Sequence, residues 1–540
     1  MPNRKCLWWV LVGGYLVGLA LLGVYFRHAL NTDAAAYVRI ASYYAAGKVD
    51  LAVSGYWAPL LSWLMAPLLK VGLPELAVGR LAMGFSALVF LAGSIAAYRA
   101  FKLPVMWVDT GAILTAACGL YWSVRFITPD LLLSGLIGIA VYCLIKGESS
   151  PGLWNELAAG IVWGLAYLAK SIALPLAILT ILSFSGLALL TKSVDRAALL
   201  RKFTTTVLAF GLVVGPWITV ISLKYGRPTF STAARISHAL TGPGDLERYH
   251  PFARTFHRPE PGRVTSWEDP SNMAYHYWSP FQSSAYATHQ VRVVLRNLLL
   301  CLLLLTSLNC AWLMVPIDIL RAKRGGNCQH ANNAYLWVFT MPFWLVCLYL
   351  PASIMVTEQR FFYPTFAFLF VMVVLSTMSR SEGGGGKAAP SEKWRWWLAV
   401  IGVTAPLIAT VIVLGRSPKY AGDCAADLAN RMRRADLVGP LAGSGLLPGG
   451  RAGLYVAFLL NQPWYGDELQ PTPASLKASG AQFIVIVRKS ELATALDRDP
   501  HFLDCDKRLF GMSSTEPESP LKLYEVRGWR EVAEGQPIRH

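Results

Sequence analysis

The chain has 540 residues, of which 54% are hydrophobic and only 15% are charged, and its mean hydropathy is +0.42. Soluble domains are typically about 45–50% apolar and about 25% charged, so this composition excludes an ordinary soluble protein. The net charge is +17, but no basic soluble domain of the kind that binds nucleic acid is evident. The composition therefore indicates a protein that crosses a membrane several times.

Apolar runs of roughly the 20 residues that a membrane helix requires recur along the chain. No small-residue cleavage site follows the first run, so we interpret it as a retained helix and not as a signal peptide. The fifth and sixth runs abut with almost no loop, and Pro175 lies just inside the sixth, which leaves the helix count around 153–190 open. About eleven spans are predicted, near 7–26, 76–98, 104–122, 130–146, 153–169, 172–190, 203–222, 292–315, 335–351, 361–378 and 396–414.

The basic residues between these spans predict the orientation of the chain. Short loops rich in Lys and Arg stay in the cytoplasm, and most of these loops agree if the N-terminus is cytoplasmic and the C-terminus is outside. Much of the positive charge therefore reflects topology. The basic residues placed inside are Arg4, Lys5, Arg99, Lys102, Lys146, Lys192, Arg196, Arg201, Lys202, Arg321, Lys323, Arg324, Arg380, Lys387, Lys393 and Arg395.

The segments on the predicted outer face are much longer, and cover about 27–75, about 223–291 and everything after about 415. A pump or carrier usually concentrates its chemistry at mid-membrane between repeated bundles, and no obvious internal repeat is present here. We therefore expect the function to lie at the outer face. Apolar residues at helical spacing predict two surface helices in the first outer segment, over 33–47 and 57–70, for which a purely structural covering is the alternative.

The end of the chain has a globular composition. A glycine-rich linker at 381–387 precedes the last span, and 415–540 is predicted to form a small extracytoplasmic α/β domain after a membrane domain of residues 1–414. Cys424 and Cys505 both fall in this domain, where an oxidising compartment permits a disulfide, but the sequence leaves their pairing open. Predicted helices cover 423–434 and 491–497, and predicted strands cover 453–460, 482–487 and 521–526.

Two acidic residues are predicted at the outer ends of membrane helices, Asp33 after the first span and Asp130 at the start of the fourth. A carboxylate next to hydrocarbon is costly and is often functional. Helix capping is the alternative, since Thr32 or Asp33 can cap a helix and Asp130 follows Thr128 and Pro129 in a good helix start. On a common face, one carboxylate can act as a base while the other positions a substrate or a metal, which leaves a divalent cation open as a cofactor.

Three basic residues are predicted at the same face, Arg125, Lys170 and Arg360. Each of them alone can simply extend its side chain toward the membrane interface. Together they suit a phosphate group at the outer leaflet, because Arg makes bidentate contacts and Lys supplies a point charge. Glu358 is close to Arg360 in sequence and can pair with it at a helix start.

The second long outer segment, 223–291, is rich in Arg, His and aromatic residues. His250 and His257 have no matching Cys or carboxylate pattern, so they indicate a metal site only weakly. The aromatic run at 272–278 can stack on a sugar or pack against the protein as a covering, and packing is favoured.

Several motifs resemble the membrane glycosyltransferases with the GT-C fold, in particular the protein O-mannosyltransferase and lipid A aminoarabinose transferase group. Asp33 with Tyr37 follows the first span, and Thr128-Pro129-Asp130 opens the fourth. The other matching motifs are YWAPLLSWL at 56–64, GLAYLAK at 164–170 and EQRFFYP at 358–364. The resemblance runs over most of the membrane part, and the globular tail also resembles the outer domains of many such enzymes.

The resemblance implies transfer of a sugar from a polyprenyl-phosphate donor on the outer face of the bacterial inner membrane. The acceptor would be a glycolipid, a polysaccharide or a protein, and Asp33 would take the proton from its attacking oxygen. Cations would stabilise the polyprenyl phosphate that leaves. By this resemblance Asp33 and Asp130 are assigned to catalysis, and Tyr37, Arg125, Lys170, Glu358 and Arg360 are assigned to substrate binding.

The sequence departs from the family at two places. Relatives often carry a basic residue and a second proline near Pro59, where this chain has Trp57 and Ala58, so a cation for the donor phosphate has to come from elsewhere. Ala34 follows Asp33 where many relatives have a second acidic residue, which weakens the case for a metal. The absence of a Trp-Trp-Asp motif argues against an oligosaccharyltransferase.

Two other functions fit parts of this pattern. A flippase or carrier for lipid-linked saccharides also needs cations for a phosphate, but it should show paired repeats and does not need an outer α/β domain. An O-antigen ligase or polymerase is also multispanning, but it transfers whole chains instead of one sugar.

Overall fold

The computed structural model describes residues 4–149, 152–190, 195–244, 248–314, 329–351, 358–378, 400–402, 404–405, 408, 412, 419–448, 450–510, 519–530 and 532. Within these ranges the chain is mainly helical, with one five-stranded sheet near its end. The predicted linker at 381–387 and most of the predicted eleventh span, 396–414, lie outside the described residues.

A helix lies at each of the first ten predicted spans, so the helical structure predicted there is confirmed. The helices in chain order are α1 (Arg4–Tyr25), α2 (Thr32–Ala45), α3 (Val49–Ala52), α4 (Leu60–Lys70), α5 (Glu75–Ala100), α6 (Val105–Arg125), α7 (Asp130–Ser149), α8 (Leu153–Ala169), α9 (Ala173–Leu190), α10 (Arg196–Tyr225), α11 (Ala233–Ala239), α12 (Ser284–Leu308), α13 (Gln329–Tyr349), α14 (Phe366–Met378), α15 (Tyr420–Arg434), α16 (Ala452–Leu460), α17 (Pro473–Ala478), α18 (Glu491–Asp497) and α19 (Asp506–Phe510). Among the described helices, α1, α5, α10 and α12 are both long and apolar enough to cross a membrane, and the chain is a multi-pass membrane protein.

Small residues let the central helices approach closely. Helices α5 and α7 meet at Gly93 and Gly135, where a Cβ atom added to Gly93 would lie 2.0 Å from the carbonyl oxygen of Gly135. Within lipid there is no hydrophobic drive between helices, so such close packing of backbones provides much of the attraction. The contact fixes the outer end of α7, and with it Asp130.

The predicted helices of the first outer segment are confirmed as α2 and α4, and a short helix, α3, lies between them. Helix α2 is more enclosed than a surface helix, because nine of its 14 residues are buried. The Ser62 hydroxyl on α4 donates to the carbonyl oxygen of Tyr37 at 2.9 Å. Helix α2 is therefore a core element of this end of the helix bundle.

The segment 223–291 packs over α2 through a buried group of charges, Lys224, Arg263, Glu268 and Asp269, which we call the loop clamp. The Lys224 ammonium lies 2.7 Å from an Asp269 carboxylate oxygen. Glu268 accepts from the Tyr43 hydroxyl on α2 at 2.7 Å. The indole of Trp57 donates to the carbonyl oxygen of the neighbouring Trp267 at 2.7 Å, which joins the clamp to the start of α4. 

The C-terminal α/β region, which runs from α15 to the last strand, contains a sheet of mixed direction. Strand β1 is parallel to β2 and β3, whereas β5 is antiparallel to β3 and β4, so the order is β2-β1-β3-β5-β4. The strands are β1 (Leu441–Ser444), β2 (Trp464–Asp467), β3 (Phe483–Val487), β4 (Phe502–Asp504) and β5 (Leu521–Val526). The predicted strands at 482–487 and 521–526 and the predicted helices at 423–434 and 491–497 are confirmed.

One predicted strand is wrong, because 453–460 forms helix α16. Its sequence, AGLYVAFLL, is buried on nearly all sides, so no polar face marks the helical period. The disulfide left open by the sequence is not formed, since Cys424 and Cys505 are both free thiols. The Cys424 thiol contacts Tyr420 within its own helix, whereas the Cys505 thiol donates to the carbonyl oxygen of Leu503 at 3.6 Å.

The C-terminal α/β region packs directly against one end of the helix bundle, beside the C-terminal end of α1. His28, just after α1, lies 2.9 Å from the carboxylate of Asp423 on α15. A Cβ atom added to Gly422 would meet the carbonyl oxygen of His28 at 1.7 Å, so this backbone contact requires glycine. The Lys419 ammonium lies 3.8 Å from the centre of the Tyr25 ring.

Candidate functional site

The candidate site centres on Arg360, which lies in a 3-10 turn, Gln359–Thr365, immediately before α14. Pro364 in this turn lacks a backbone N–H, so the chain does not continue as a regular α-helix through it. The Arg360 guanidinium lies 2.7 Å from an Asp33 oxygen and 3.9 Å from an Asp130 oxygen. Its Nε atom contacts the carboxylate of Glu358. One side chain therefore joins three carboxylates from three parts of the sequence.

Lys170 extends this arrangement on the other side of Asp130. Its Nζ atom lies 2.5 Å from Oδ1 of Asp130, whose side chain is only 3% exposed. Lys170 is the residue after the end of α8, and Asp130 is the first residue of α7, so two helix ends supply this pair. We call Asp33, Asp130, Lys170, Glu358 and Arg360 the Arg360 cluster.

Asp33 reaches the cluster from the first turn of α2. The residue at the N-cap is Asn31, and its side-chain oxygen accepts a hydrogen bond from the backbone N–H of Ile127 at 2.9 Å. Asn31 thereby ties the start of α2 to the connection that precedes Asp130. Capping by Asp33 or Thr32, the alternative that the sequence allowed, is not what the structure shows. The Asp33 side chain is 16% exposed, so a substrate atom can reach it.

Two aromatic rings separate the cations of the site. The guanidinium groups of Arg125 and Arg360 lie 4.8 Å and 5.1 Å from the centre of the Phe126 ring. The charged groups of Arg360 and Lys170 lie 5.2 Å and 4.5 Å from the centre of the Phe361 ring. The result is an alternating row of three cations and two rings, in which each ring face favours the positive charge beside it.

Arg125 differs from the other two cations of this row. Lys170 and Arg360 are held by carboxylates, whereas Arg125 has no carboxylate partner within the described part of the chain. Its guanidinium lies over the rings of Tyr121 and Phe126, at 5.9 Å and 4.8 Å. Of the three predicted cations, Arg125 is therefore the one whose charge is least compensated.

Tyr37 lies one turn along α2 from Asp33 and is buried. Its ring packs edge-on against Trp57, with 4.9 Å between the ring centres. Burial raises the pKa of the Tyr37 hydroxyl well above its usual value, and the negative charges of Asp33 and Asp130 add to the effect. The hydroxyl therefore stays protonated and can act as a hydrogen-bond donor beside the cluster.

Glu358 is a carboxylate of the cluster that takes up a proton more readily than a carboxylate in water. Burial raises its pKa, the Arg360 guanidinium opposes that shift, and Asp33 and Asp130 add to it. The six charged groups at the site are three cations, Arg125, Lys170 and Arg360, and three carboxylates, Asp33, Asp130 and Glu358. Their formal charges cancel when Glu358 is ionised, and sum to +1 when Glu358 takes a proton.

The two histidines weighed as metal ligands have other roles. Nδ1 of His250 lies 2.9 Å from the Tyr275 hydroxyl, and Nδ1 of His257 lies 2.8 Å from the Ser266 hydroxyl. Part of the aromatic run at 272–278 packs against the protein, since Met273 and Trp278 are buried and Trp278 stacks on His238, whereas Tyr277 is 38% exposed. Among the residues that the structure describes, no group of three or more His, Cys, Asp or Glu side chains is arranged to hold a metal ion.

The structure thus brings six of the seven predicted site residues to one place and puts Arg125 at its edge. Sequence reasoning missed Phe126 and Phe361, although each directly follows a predicted arginine in the chain. It also missed Tyr56, which is close enough to Asp33 and Arg360 for their charges to act on its hydroxyl.

The helix order, the buried outer helices and the C-terminal sheet together define the GT-C fold. A crystal structure of ArnT from Cupriavidus metallidurans bound to undecaprenyl phosphate matches this chain with a TM-score of 0.54 and 15% sequence identity, over 96% of this chain and 98% of that one. The apo structure of the same ArnT matches with a TM-score of 0.52 and 15% identity, over 95% and 98%. No protein-family model and no curated protein matches the sequence.

Proposed function

We propose that this protein is a glycosyltransferase that moves a sugar from a polyprenyl-phosphate donor to an acceptor at the outer face of the membrane. The observation that carries the proposal is the Arg360 cluster, where a partly exposed Asp33 lies 2.7 Å from a guanidinium that belongs to a row of three cations. The GT-C fold supports it, as does the undecaprenyl phosphate bound to an ArnT with that fold.

In the proposed reaction Asp33 is the base. The acceptor oxygen attacks the anomeric carbon of the donor sugar, and its proton passes to the Asp33 carboxylate. The bond between that carbon and the phosphate oxygen breaks, and its electron pair leaves with the polyprenyl phosphate. The roles of base and of cation are thus divided between the two sides of one ion pair, Asp33 and Arg360.

The leaving phosphate is stabilised by the cation row. A sugar phosphodiester carries one negative charge, which the site complements when Glu358 is protonated and its six charged groups sum to +1. Arg125 has its charge least compensated and can turn to the phosphate without breaking an ion pair with any described residue. Arg360 and Lys170 stay fixed by Asp33 and Asp130, so their positive charges are preorganised for the transition state. Tyr37 lines the same site as a hydrogen-bond donor.

The remaining assignments belong to the same proposal. The cluster faces away from the cytoplasm of a bacterial inner membrane, with the N-terminus inside and the C-terminal α/β region outside. Residues 1–414 form the transferase part and 415–540 the outer domain. Selection between glycolipid, polysaccharide and protein acceptors resides in the segment 223–291 and in the outer domain, which cover the site.

The direct test measures turnover of a polyprenyl-phosphate sugar by the purified wild-type protein and by its Asp33→Asn variant. Loss of a general base lowers the rate by about 10²–10⁴-fold. The amide keeps the size of the side chain, and Arg360 keeps the carboxylates of Glu358 and Asp130 beside it, so the fold should be retained. Asp50→Asn, an exposed carboxylate on α3 of the same outer segment, is the matched control and should transfer normally.

Each outcome of this experiment is informative. Loss of transfer in Asp33→Asn, with an unchanged melting temperature and full activity in Asp50→Asn, supports the proposal. Normal transfer by Asp33→Asn overturns the role of Asp33. Absence of turnover by the wild-type protein, together with movement of the intact donor across a vesicle membrane, identifies a carrier instead, and transfer of whole saccharide chains identifies a ligase or polymerase.

A further inference from the structure

Arg39 lies on the same helix as Asp33 and joins it to the C-terminal α/β region. Its guanidinium donates to the carbonyl oxygen of Phe458 at 2.6 Å and to the side-chain oxygen of Asn461 at 2.9 Å. It also lies 4.7 Å from the centre of the Phe458 ring. Phe458 and Asn461 belong to helix α16 and its C-terminal cap. Arg39 is only 6% exposed, so these contacts are made away from water.

The same guanidinium also fixes α2 against the membrane bundle. It lies 2.8 Å from a carboxylate oxygen of Glu75, the first residue of α5. Ser42, on the same face of α2, donates to the other oxygen of Glu75 at 3.0 Å. Arg39 is thus the point where α2, α5 and α16 meet, and a buried charge of this kind has to keep all its partners to avoid a large desolvation cost.

A second contact from α16 reaches the start of α2 itself. Tyr455 is 1% exposed, and its hydroxyl lies close enough to the side chain of Thr32, directly before Asp33, to interact with it. Asp33 is close enough for its charge to act on the Tyr455 hydroxyl. Tyr455 and Phe458 are three residues apart and therefore share one face of α16. One face of this helix holds α2 at two points, near Asp33 and at Arg39.

We propose that Arg39 and Tyr455 are positioning residues through which the C-terminal α/β region sets the place of the Asp33 carboxylate. This inference rests on the proposed function for the role of Asp33, but the mechanical part stands on the contacts alone. Neither residue touches the reacting atoms. Because α2 is a short rigid helix held at two points by α16, a loss of either contact shifts Asp33 relative to Arg360. A displacement of about 1 Å at a reacting group can cost about 10²-fold in rate.

The experiment compares Arg39→Met with Arg433→Met in the full-length protein. Arg433, on α15, donates to the carbonyl oxygen of Leu459 at 3.1 Å, beside the carbonyl that Arg39 uses, but is exposed and makes this contact within the C-terminal region. Amide hydrogen exchange is measured on peptides covering 32–45, and transfer is measured as kcat and KM for the donor. We expect Arg39→Met to speed exchange in α2 and to lower kcat by about 10²-fold with little change in donor KM, and Arg433→Met to do neither.

Two gentler variants keep the test informative where Arg39→Met does not fold. Tyr455→Phe removes one oxygen and should lower kcat by about tenfold, because the start of α2 is less tightly held and a small displacement of Asp33 lowers the rate. Arg39→Lys keeps the positive charge and should recover part of the activity that is lost in Arg39→Met. A contact that only docks the C-terminal region, without positioning Asp33, does not require this recovery.

The two arms separate this inference from the function on which it rests. If the wild-type protein transfers no sugar, the proposed function fails, while faster exchange of α2 in Arg39→Met still supports the mechanical coupling. Unchanged exchange in both Arg39→Met and Tyr455→Phe overturns the coupling. Faster exchange with wild-type kcat in both variants overturns the positioning role.

Discussion

Two largely buried groups of charges lie at the end of the helix bundle next to the C-terminal α/β region, and they differ in how completely their hydrogen-bonding atoms are satisfied. In the loop clamp, Glu268 accepts from the backbone N–H groups of Val264 and Thr265 at 2.9 Å and 3.0 Å as well as from Tyr43. The side chains of Glu268 and Asp269 are both 0% exposed. Every partner of this group is part of the protein, so its role is to hold the segment 223–291 in place.

The Arg360 cluster has a similar number of charges but remains open. Its carboxylates Asp33 and Glu358 retain 16% and 20% exposure, and Oδ2 of Asp130 accepts no hydrogen bond from the described residues. Buried polar groups are usually satisfied, so this unused hydrogen-bonding capacity next to a row of cations marks the cluster as a candidate site. The comparison teaches that hydrogen-bond saturation, and not burial alone, separates a structural ion network from a candidate site.

The largest effect is expected from breaking the saturated group. Asp269→Asn removes the charge that balances Lys224 and leaves that ammonium without its carboxylate 2.7 Å away. Breaking a buried ion pair typically costs about 3–5 kcal/mol, so thermal unfolding in detergent should occur at a much lower temperature. Asp427→Asn, in an exposed pair with Arg431, should cost under about 1 kcal/mol. Similar melting temperatures for the two variants would show that the loop clamp does not stabilise the fold.

The next largest effect is a dependence of stability on pH, and it comes from His250, which lies beside the loop clamp. Burial lowers the pKa of His250 from its usual 6.5 to about 3, and the positive charges of Arg451 and Arg254 act in the same direction. The unfolded chain binds a proton below pH 6.5, whereas the folded protein does not. The stability associated with neutral His250 is therefore complete above pH 6.5 and is lost as the pH falls toward 3, by about 1.4 kcal/mol per pH unit.

Unfolding measured between pH 7 and pH 5 checks this prediction, with His250→Asn as the comparison because asparagine does not titrate. Burial raises the pKa of Asp467 to about 6, which makes folding more favourable as the pH falls. Asp467 is present in both proteins, so the difference between them isolates His250. If the stability of the wild-type protein and that of His250→Asn change with pH in parallel, His250 is not the source of the pH dependence.

A smaller and more local effect is expected at the open cluster. Arg125→Gln should raise KM for a polyprenyl-phosphate donor by about tenfold or more, because a hydrogen bond to a charged group contributes about 1.5–3 kcal/mol. The melting temperature should change little, since Arg125 has no carboxylate partner among the described residues. Arg292→Gln, an exposed arginine in the first turns of α12, is the control. Equal KM values for the two variants would exclude Arg125 from donor binding.

The smallest effect should come from the ring between the two arginines. Phe126→Leu removes the aromatic face that lies 4.8 Å from Arg125 and 5.1 Å from Arg360, at a cost of about 0.5–1 kcal/mol. We expect a two- to fivefold rise in donor KM, about the size of that free energy. An increase as large as that of Arg125→Gln would mean that Phe126 contacts the donor directly.

Much of the fold could be predicted because membrane helices are specified by long apolar runs, which the sequence displays directly. The predicted position of Asp33 and Asp130 beside hydrocarbon also marked them as candidate site residues before any contact was known. The short helix α16 could not be predicted, because a buried apolar run of this length does not show whether its period is that of a helix or a strand.

The partners of the site residues were the harder part. The contact between Arg39 and Phe458 joins two residues separated by more than 400 positions, and no local pattern announces it. The pairing of Lys170 with Asp130 likewise depends on which helix ends meet in the bundle. The sequence therefore predicted that these residues lie at helix ends on one side of the bundle, whereas their mutual distances, and the contacts between α16 and α2, required the structure.

The most direct measurement is an experimental structure of the protein with undecaprenyl phosphate bound. The account predicts that the phosphate lies along the cation row, with its oxygens about 3 Å from nitrogen atoms of Arg125 and Arg360, and that Asp33 faces the position that a linked sugar would occupy. A phosphate bound elsewhere, with the Arg360 cluster closed to lipid and substrate, would contradict it.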